Sequence, residues 1–598
     1  MSDFLLVVGD GPCAARWFED GLRIARASGA GEPSCRIERS GVRAAVFARR
    51  AGSPGHAVEM GPSWLFATGT WFADDGLGRG DETALLGRCT REGMGSCARR
   101  LDGFFAIAGG DARSATLVTD PVGSHHVYVR QGDGAIAVAG SALWLAALDD
   151  TALDPLACQE FLATGVIYED RTPFAAVRAL PPASVIAIDG KGWRKQAHTW
   201  SLRGLRPESL DADEAVESFG SAMLDACRRI ARVLDRPVAD LTAGWDSRIL
   251  CAFLLGAQVG FETTVTGSKD SADVVLSTRI AQRMGLRHHP LPLGAPPDLD
   301  EIERSITLTD GLLNALGYAR VYRVHRELSQ HFGASLNGSF GEVGRGYWWE
   351  LLSPSPSAHA RLDATRIAQR RYAAGAPALT LWPRPLRLDP VAHFAEVIAR
   401  VDSDLDDAPL GFRLDRTYLR LRMRCWQGRI ASATDRLWPC LSPLVFRSAL
   451  EPLLRTRFAA RDKNRLARMV LARFAPKLAR MRLESGGPAL PRTALNAWRF
   501  LPEAVGFAKK VALKLAGRRT HARTLEETSA PRLALWSDPR LRDLLDPTRM
   551  ELGGHVDRDE LRSLVDATRA PQFEHELLFG NLLALELGLR RLRELRAR

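Results

Sequence analysis

Cysteine is scarce and unorganised in this chain. Nine are spread singly over 598 residues, with no C-x-x-C pair and no regular spacing. That excludes a disulfide scaffold and points to a reducing, cytoplasmic compartment. Long hydrophobic runs are missing as well. No stretch of ~18 apolar residues occurs, so no membrane span is expected. The opening run from Met1 to Gly9 reads as a short strand with an acidic start, without the basic leader and cleavage site of a signal peptide. Aromatic residues are not interleaved with the basic clusters as a stacking surface would require, so no nucleic-acid partner is expected. Internal repeats and long low-complexity linkers are also lacking.

What is present is the composition of a globular protein, 46% apolar and 25% charged. The length is too great for one core, and about three to four domain-sized units is the prior. The net charge of +11 is unevenly placed. Basic residues dominate between Arg455 and Arg482, and again at Lys509, Lys510, Lys514, Arg518, Arg519 and Arg523. These clusters read either as solvated helix faces or as a surface for an acidic partner.

Texture divides the chain. Residues 1 to about 200 carry short apolar or alternating runs, such as Arg43–Ala48, Ser63–Thr68, Phe104–Ala108 and Ala115–Thr119, separated by Gly, Asp and Pro turns. They predict packed antiparallel sheets. From about residue 205 strand-like and helix-like runs alternate: a helix over Asp211–Val233, a strand over Val238–Leu241, a strand over Phe261–Thr266, a helix over Asp273–Met284 and a strand over His288–Leu293. Alternation of this kind predicts a parallel α/β sheet. From about residue 360 the chain is predominantly helical and Arg-rich.

Three small-residue loops end strands of the α/β part. The first is Leu241-Thr242-Ala243-Gly244-Trp245-Asp246-Ser247, running into a helix over Arg248–Leu255. Small residues let a backbone approach a ligand closely, N–H groups at a helix start favour anions, and an Asp holds a hard cation such as Mg²⁺. Its glycine spacing matches neither the Walker-type loop nor the dinucleotide fingerprint. The second runs from Thr266 and Gly267 to Asp273. The third is Gly338-Ser339-Phe340-Gly341-Glu342-Val343-Gly344-Arg345-Gly346-Tyr347, whose glycines surround one carboxylate and one arginine. Ligands of open α/β sheets bind where strands end at the carboxyl edge, so one nucleotide can use all three loops. Asp246 reads as a metal ligand or as an N-cap, Glu342 as a second metal ligand, a base on the amine side or a loop brace, and Arg345 as a binder of phosphate or carboxylate or as a surface ion pair.

Thr242 to Ser247 resembles the S-G-G-x-D-S pyrophosphate loop of ATP pyrophosphatases. Gly338 to Tyr347 resembles the G-x-G-x-D-E-x-x-x-G-Y segment of asparagine synthetases, one residue short. Leu101 to Ala106 is similar to that family's L-x-G-x-F-A, Asp120 to Tyr128 to its D-R-x-G-x-x-P-L-Y-Y, and Asp273 with His288-His289 to its D-x-x-x-A…G-x-x-H-H stretch. The resemblance covers roughly residues 40 to 490. It implies an α+β, glutaminase-like αββα domain over residues 1–200, an α/β ATP-pyrophosphatase-type synthetase domain over 205–490, and a helical C-terminal extension over 491–598 packed on the synthetase domain. It also implies ATP and Mg²⁺, with Leu241, Thr242, Ala243, Gly244, Trp245, Asp246, Ser247, Thr266, Gly267, Gly338 and Ser339 at the nucleotide and Asp246 and Glu342 at the metal. A carboxylate is adenylated, pyrophosphate leaves, and an amine forms the amide.

The chain departs from that pattern in three places. Members that hydrolyse glutamine carry a cysteine directly after the initiator methionine; here it is Ser2, a much poorer nucleophile at neutral pH. Cys13 lies beyond the first strand and reads as packing. The expectation is an inactive glutaminase, with the amine supplied by another molecule or by the substrate itself, as in β-lactam synthetases and lasso-peptide cyclases. The family's transition-state lysine falls by spacing at or near Glu484, leaving Lys463, Lys477, Arg480 or Arg482 to supply positive charge. Glu342, Lys463 and Arg345 are therefore the expected catalytic set. Thr242 and Ala243 stand where Ser and Gly are usual. The expected function is ATP-dependent amide formation without its own glutaminase, with a macrolactam-forming cyclase acting on a precursor peptide, alongside a partner peptidase, as the preferred form. The alternatives are an amidotransferase on a cell-surface sugar acid, glutamine-dependent asparagine synthesis, and a non-catalytic nucleotide-binding scaffold.

Overall fold

The computed structural model describes residues 3–48, 57–346, 348–352, 355–405, 407–506, 508 and 525–597, without the side chains of 525–529. Ser2, Tyr347 and the basic cluster from Lys509 to Arg523 lie outside the described residues.

The N-terminal half is built from two six-stranded antiparallel sheets. Asp3–Val8 is central in the first, between Val42–Phe47 and Ala135–Ala139. Ser63–Ala73 and Leu101–Gly110 form the long pair of the second. Strand periodicity assigns the faces. Phe4, Leu6 and Val8 pack with Trp64 and Phe66 between the sheets. Leu5 and Val7 face outward onto the helices Pro12–Ala27, Ala142–Ala147 and Pro155–Thr164. Leu65 and Ala67 face outward on the other side, onto Glu82–Glu92 and Met94–Ala98. The result is the helix–sheet–sheet–helix stack expected for a glutaminase-like domain.

A capping box at Asp211 and Glu214 starts the helix Ala212–Val233, which leads into a five-stranded sheet. Its order is His288–Leu291, Glu262–Thr266, Pro237–Asp240, Ala334–Leu336 and Cys440–Leu441, with every pair parallel. Both faces are covered. Ala239 and Leu241 pack with Leu250 and Phe253, while Val238 packs with Leu328, Phe332 and Trp438. Helices also dominate the remainder of the chain. The last strand escapes the sequence reading because two residues carry no periodicity.

Within residues 491–598, the long helix near the end of the chain touches both halves of the molecule. The helix Glu576–Ala597 lies across the N-terminal half. Asn581 donates to the carbonyls of Phe161 and Leu162, and Arg596 to those of Ala146 and Asp149. Asn581 also accepts from Asn314 at 2.8 Å, tying the same helix to the α/β part. Among the described residues, no helix is long and apolar enough to cross a membrane.

Candidate functional site

Strand order locates the site before any side chain is considered. Pro237–Asp240 is the middle strand. The chain lays two strands on one side of it, then returns to lay two on the other. Crevices of open parallel sheets form at such a reversal, at the carboxyl ends of the strands. The loops leaving Pro237–Asp240 and Ala334–Leu336 flank it, and they are the first and third loops singled out from the sequence.

They meet at backbone distance. A Cβ added at Gly338 would lie 2.6 Å from both the Asp246 carbonyl carbon and the Ser247 nitrogen, and one at Gly341 would collide with the Asp246 carboxylate. Only glycine permits that approach. Arg345 then reaches Asp246 as a fork, Nε to Oδ1 at 2.9 Å and Nη2 to Oδ2 at 2.7 Å. Burial pushes the Asp246 carboxyl up to about 6, with Arg345 opposing and Glu342 adding to the rise. Glu342 Oε2 is buried without a hydrogen-bond partner. Asp246, Glu342 and Arg345 therefore form one charged cluster. Asp246 is the first residue of the helix Asp246–Gly256, and its carboxylate caps nothing.

The first loop is braced by its own hydroxyls and by Asp273 of the second loop. The Thr242 N–H donates to Ser247 Oγ at 3.0 Å, the Gly244 N–H to Thr242 Oγ1 at 3.1 Å, and the Ala243 N–H to Asp273 Oδ1 at 2.9 Å. Leu241 is fully buried, and its N–H extends the sheet to Thr264 at 2.9 Å. Trp245 has the Arg468 guanidinium 4.9 Å from its ring centroid. In the second loop, Thr266 is exposed at a strand end and the Gly267 N–H donates to Leu291. Ser339 Oγ accepts from Gln427 at 2.8 Å, and its carbonyl accepts from Ser442 at 2.6 Å.

Lys463 stands apart from the cluster. Its side chain is 81% exposed, with Asp462 as ion-pair partner at 3.8 Å. The turn that carries it abuts the Gly341–Arg345 turn, because the neighbouring Arg461 donates to the Val343 carbonyl. Lys463 and Asn464 both have positive φ there, 50° and 59°. Lys477, Arg480 and Arg482 are exposed. The buried Arg248 holds that segment through the carbonyls of Met481 and Arg482, at 2.9 Å each.

The roles of Asp273, Gln427 and Arg248 were not legible from spacing. Asp273 closes the first loop from 30 residues away in the chain, a contact that neither its place at the head of a helix nor the motif resemblance specified. His288 bridges Thr263 and Ser277, and His289 pairs with Glu262, as expected of an edge strand. Cys13 is half-buried against the outer helix layer. Among the described residues no group of three or more His, Cys, Asp or Glu side chains is arranged to hold a metal ion.

A family model described as a glutamine amidotransferase domain matches residues 77–200. That segment holds four strands of the second sheet and three of the first, so the N-terminal half carries a domain of glutamine amidotransferase type. No curated protein matches. Among solved structures, the chain is similar to a glutamine phosphoribosylpyrophosphate amidotransferase from B. subtilis complexed with ADP and GMP. Identity is 8% over 48% of this chain and 65% of that one, just under two thirds of its length, with a TM-score of 0.21. A second, described as the allosteric regulatory enzyme of purine biosynthesis, is 9% identical over 49% of this chain and 82% of that one, with a TM-score of 0.24. Neither superposition is close enough to carry an argument about this chain.

Proposed function

We propose that the chain is an ATP-dependent, amide-forming enzyme of the asparagine synthetase type, working through an acyl-adenylate and without a glutaminase of its own. The observation that carries this reading is the meeting of the Leu241–Ser247 and Gly338–Arg345 loops at the sheet's switch point, with Asp246, Glu342 and Arg345 in one cluster. The donor set suits Mg²⁺, which takes one or two carboxylates and completes its shell with water and phosphate. Asp246 and Glu342 would hold it, and the unpartnered Glu342 oxygen supports that. When bound, the ion neutralises charge on phosphate oxygens. Ser247 and Thr242 hydroxyls would bind the leaving pyrophosphate, and Arg345 would offset its remaining charge.

Ser2 in place of a thiol supports an external amine or one on the substrate. The preferred form is a macrolactam-forming cyclase on a precursor peptide, with a partner peptidase. Transfer to a sugar acid and glutamine-dependent asparagine synthesis follow. The bidentate closure of Asp246 by Arg345, and the use of three loop N–H groups by Ser247, Thr242 and Asp273, favours the second reading, a nucleotide-binding scaffold without turnover.

Pyrophosphate release separates them. Purified protein with ATP, magnesium and a candidate peptide or acid is expected to release pyrophosphate, and Asp246→Asn to abolish it. No release with any candidate sinks the enzyme reading. Glutamate formed from added glutamine would overturn the absence of a glutaminase.

A further inference from the structure

We propose that the cleft between the N-terminal sandwich and the wide helix Tyr418–Gly428 binds a small phosphate-bearing anion. The cavity there is about 440 Å³, with Arg416, Arg420 and Arg424 on one wall and Trp193, Glu169 and Asp170 on the other. That volume is within the usual range for small-molecule sites.

The three arginines recur every fourth residue, so they share a helix face, where like charges repel. Their compensation is incomplete. Arg416 pairs with Asp404, and Glu169 is taken by Arg400 at 3.0 Å and Arg171 at 3.4 Å. Arg420 and Arg424 remain, opposed by Asp170 at the exposed rim. Arg424 is 8% exposed, and its Nε is buried with no hydrogen-bond partner, while Nη2 donates to the Leu180 carbonyl at 3.1 Å. Behind it the pattern repeats. Arg429 is 4% exposed with Nε and Nη1 unpartnered, and His126 is 5% exposed with Nδ1 unpartnered. Burial and the neighbouring guanidiniums push Arg420 down to about 10.

Leaving a buried donor unsatisfied is costly, and more so for a charged group. On the cavity wall Arg424 Nε is such a donor, and it marks the place of an absent acceptor. Two guanidiniums without an ion-pair partner of their own among the described residues match a dianion better than a monocarboxylate, and the arginine fork fits phosphate oxygens. Trp193 offers an apolar wall for the ester group. Nothing in this depends on the crevice at the parallel sheet, which shares no lining residue with the cleft.

The test is calorimetric titration of the full chain with phenyl phosphate, with inorganic phosphate and benzoate in parallel. Wild type is expected to bind phenyl phosphate at one site and benzoate more weakly. Arg420→Gln is expected to weaken binding about tenfold or more, the loss of one charge-assisted contact. Arg424→Lys keeps the charge without the fork and is expected to fall between. Ser247→Ala, in the other crevice, is expected to leave the affinity unchanged. If Arg420→Gln does not melt cooperatively, Arg420→Lys takes its place. No binding by wild type, equal affinity for benzoate, or loss on Ser247→Ala but not on Arg420 substitution would each overturn the proposal.

Discussion

Asp120 and Asp246 invite comparison. Each follows a strand by way of small residues, Asp120 within a turn and Asp246 at the head of a helix, and in each desolvation pushes the carboxyl up to about 6, although the Asp246 side chain remains 18% exposed. Their partners differ. Asp120 accepts the N–H groups of Val122, Gly123, Ser124 and His125, all from its own turn. Asp246 takes its partner from 99 residues away, the fork of Arg345. A carboxylate satisfied by its own turn fixes a shape. One satisfied by a distant charge fixes the distance between two loops, and it can exchange that partner for another.

The sharpest break of this comparison is Asp120→Ala. It removes the side-chain acceptor of four N–H groups, of which only that of Gly123 keeps another, the Asp120 carbonyl, and a loss of about 4 kcal/mol is expected in denaturant unfolding. A loss below about 1 kcal/mol would mean the turn holds itself. Arg345→Ala comes next, at about 3 kcal/mol, because a buried carboxylate loses its counter-charge. Its sign with pH follows from linkage. Without Arg345 the folded carboxyl rises further above its ordinary 3.8, so that contribution is intact at low pH and lost as pH climbs through the folded value. The variant should therefore be worse at pH 8 than at pH 5, and a flat profile would separate the pair from the loops. The double variant Asp246→Asn, Arg345→Gln should be milder than Arg345→Ala alone. Ser247→Ala removes the hydroxyl that receives the Thr242 N–H and is expected to cost about 1 kcal/mol, with weaker nucleotide binding as the second readout. Smallest is Lys463→Gly. Lys463 adopts a left-handed φ, so glycine should stabilise by up to about 1 kcal/mol, and a net loss would show that its side chain contributes more than its exposure suggests.

Legibility in the sequence followed the range of the interactions. Alternation placed Ser63–Thr68 and Ala115–Thr119 on strands, and the acidic start placed the helix after Asp211, because those signals are local. The crevice loops were legible as runs of small and polar residues at strand ends. What they touch was not legible. Nothing in Gly341 shows that it lies against Asp246, and nothing in Arg345 that it takes both oxygens. The charged wall at Arg416, Arg420 and Arg424 read as part of an Arg-rich helical stretch, since the missing counter-charges are a fact of three dimensions. The strand Cys440–Leu441 is too short for any periodicity.

The last helix has a consequence for synthesis on the ribosome. Asn581 closes onto carbonyls made 420 residues earlier, and Arg591 reaches back to Ala27. The outer helices of the N-terminal sandwich must therefore wait, with the apolar faces that meet Phe579, Leu582 and Leu583 still wet, while the rest of the polypeptide is translated. The first half to be made is among the last to be finished, and a chain arrested before that helix would leave the tunnel with a tacky flank that trigger factors and proteases recognise.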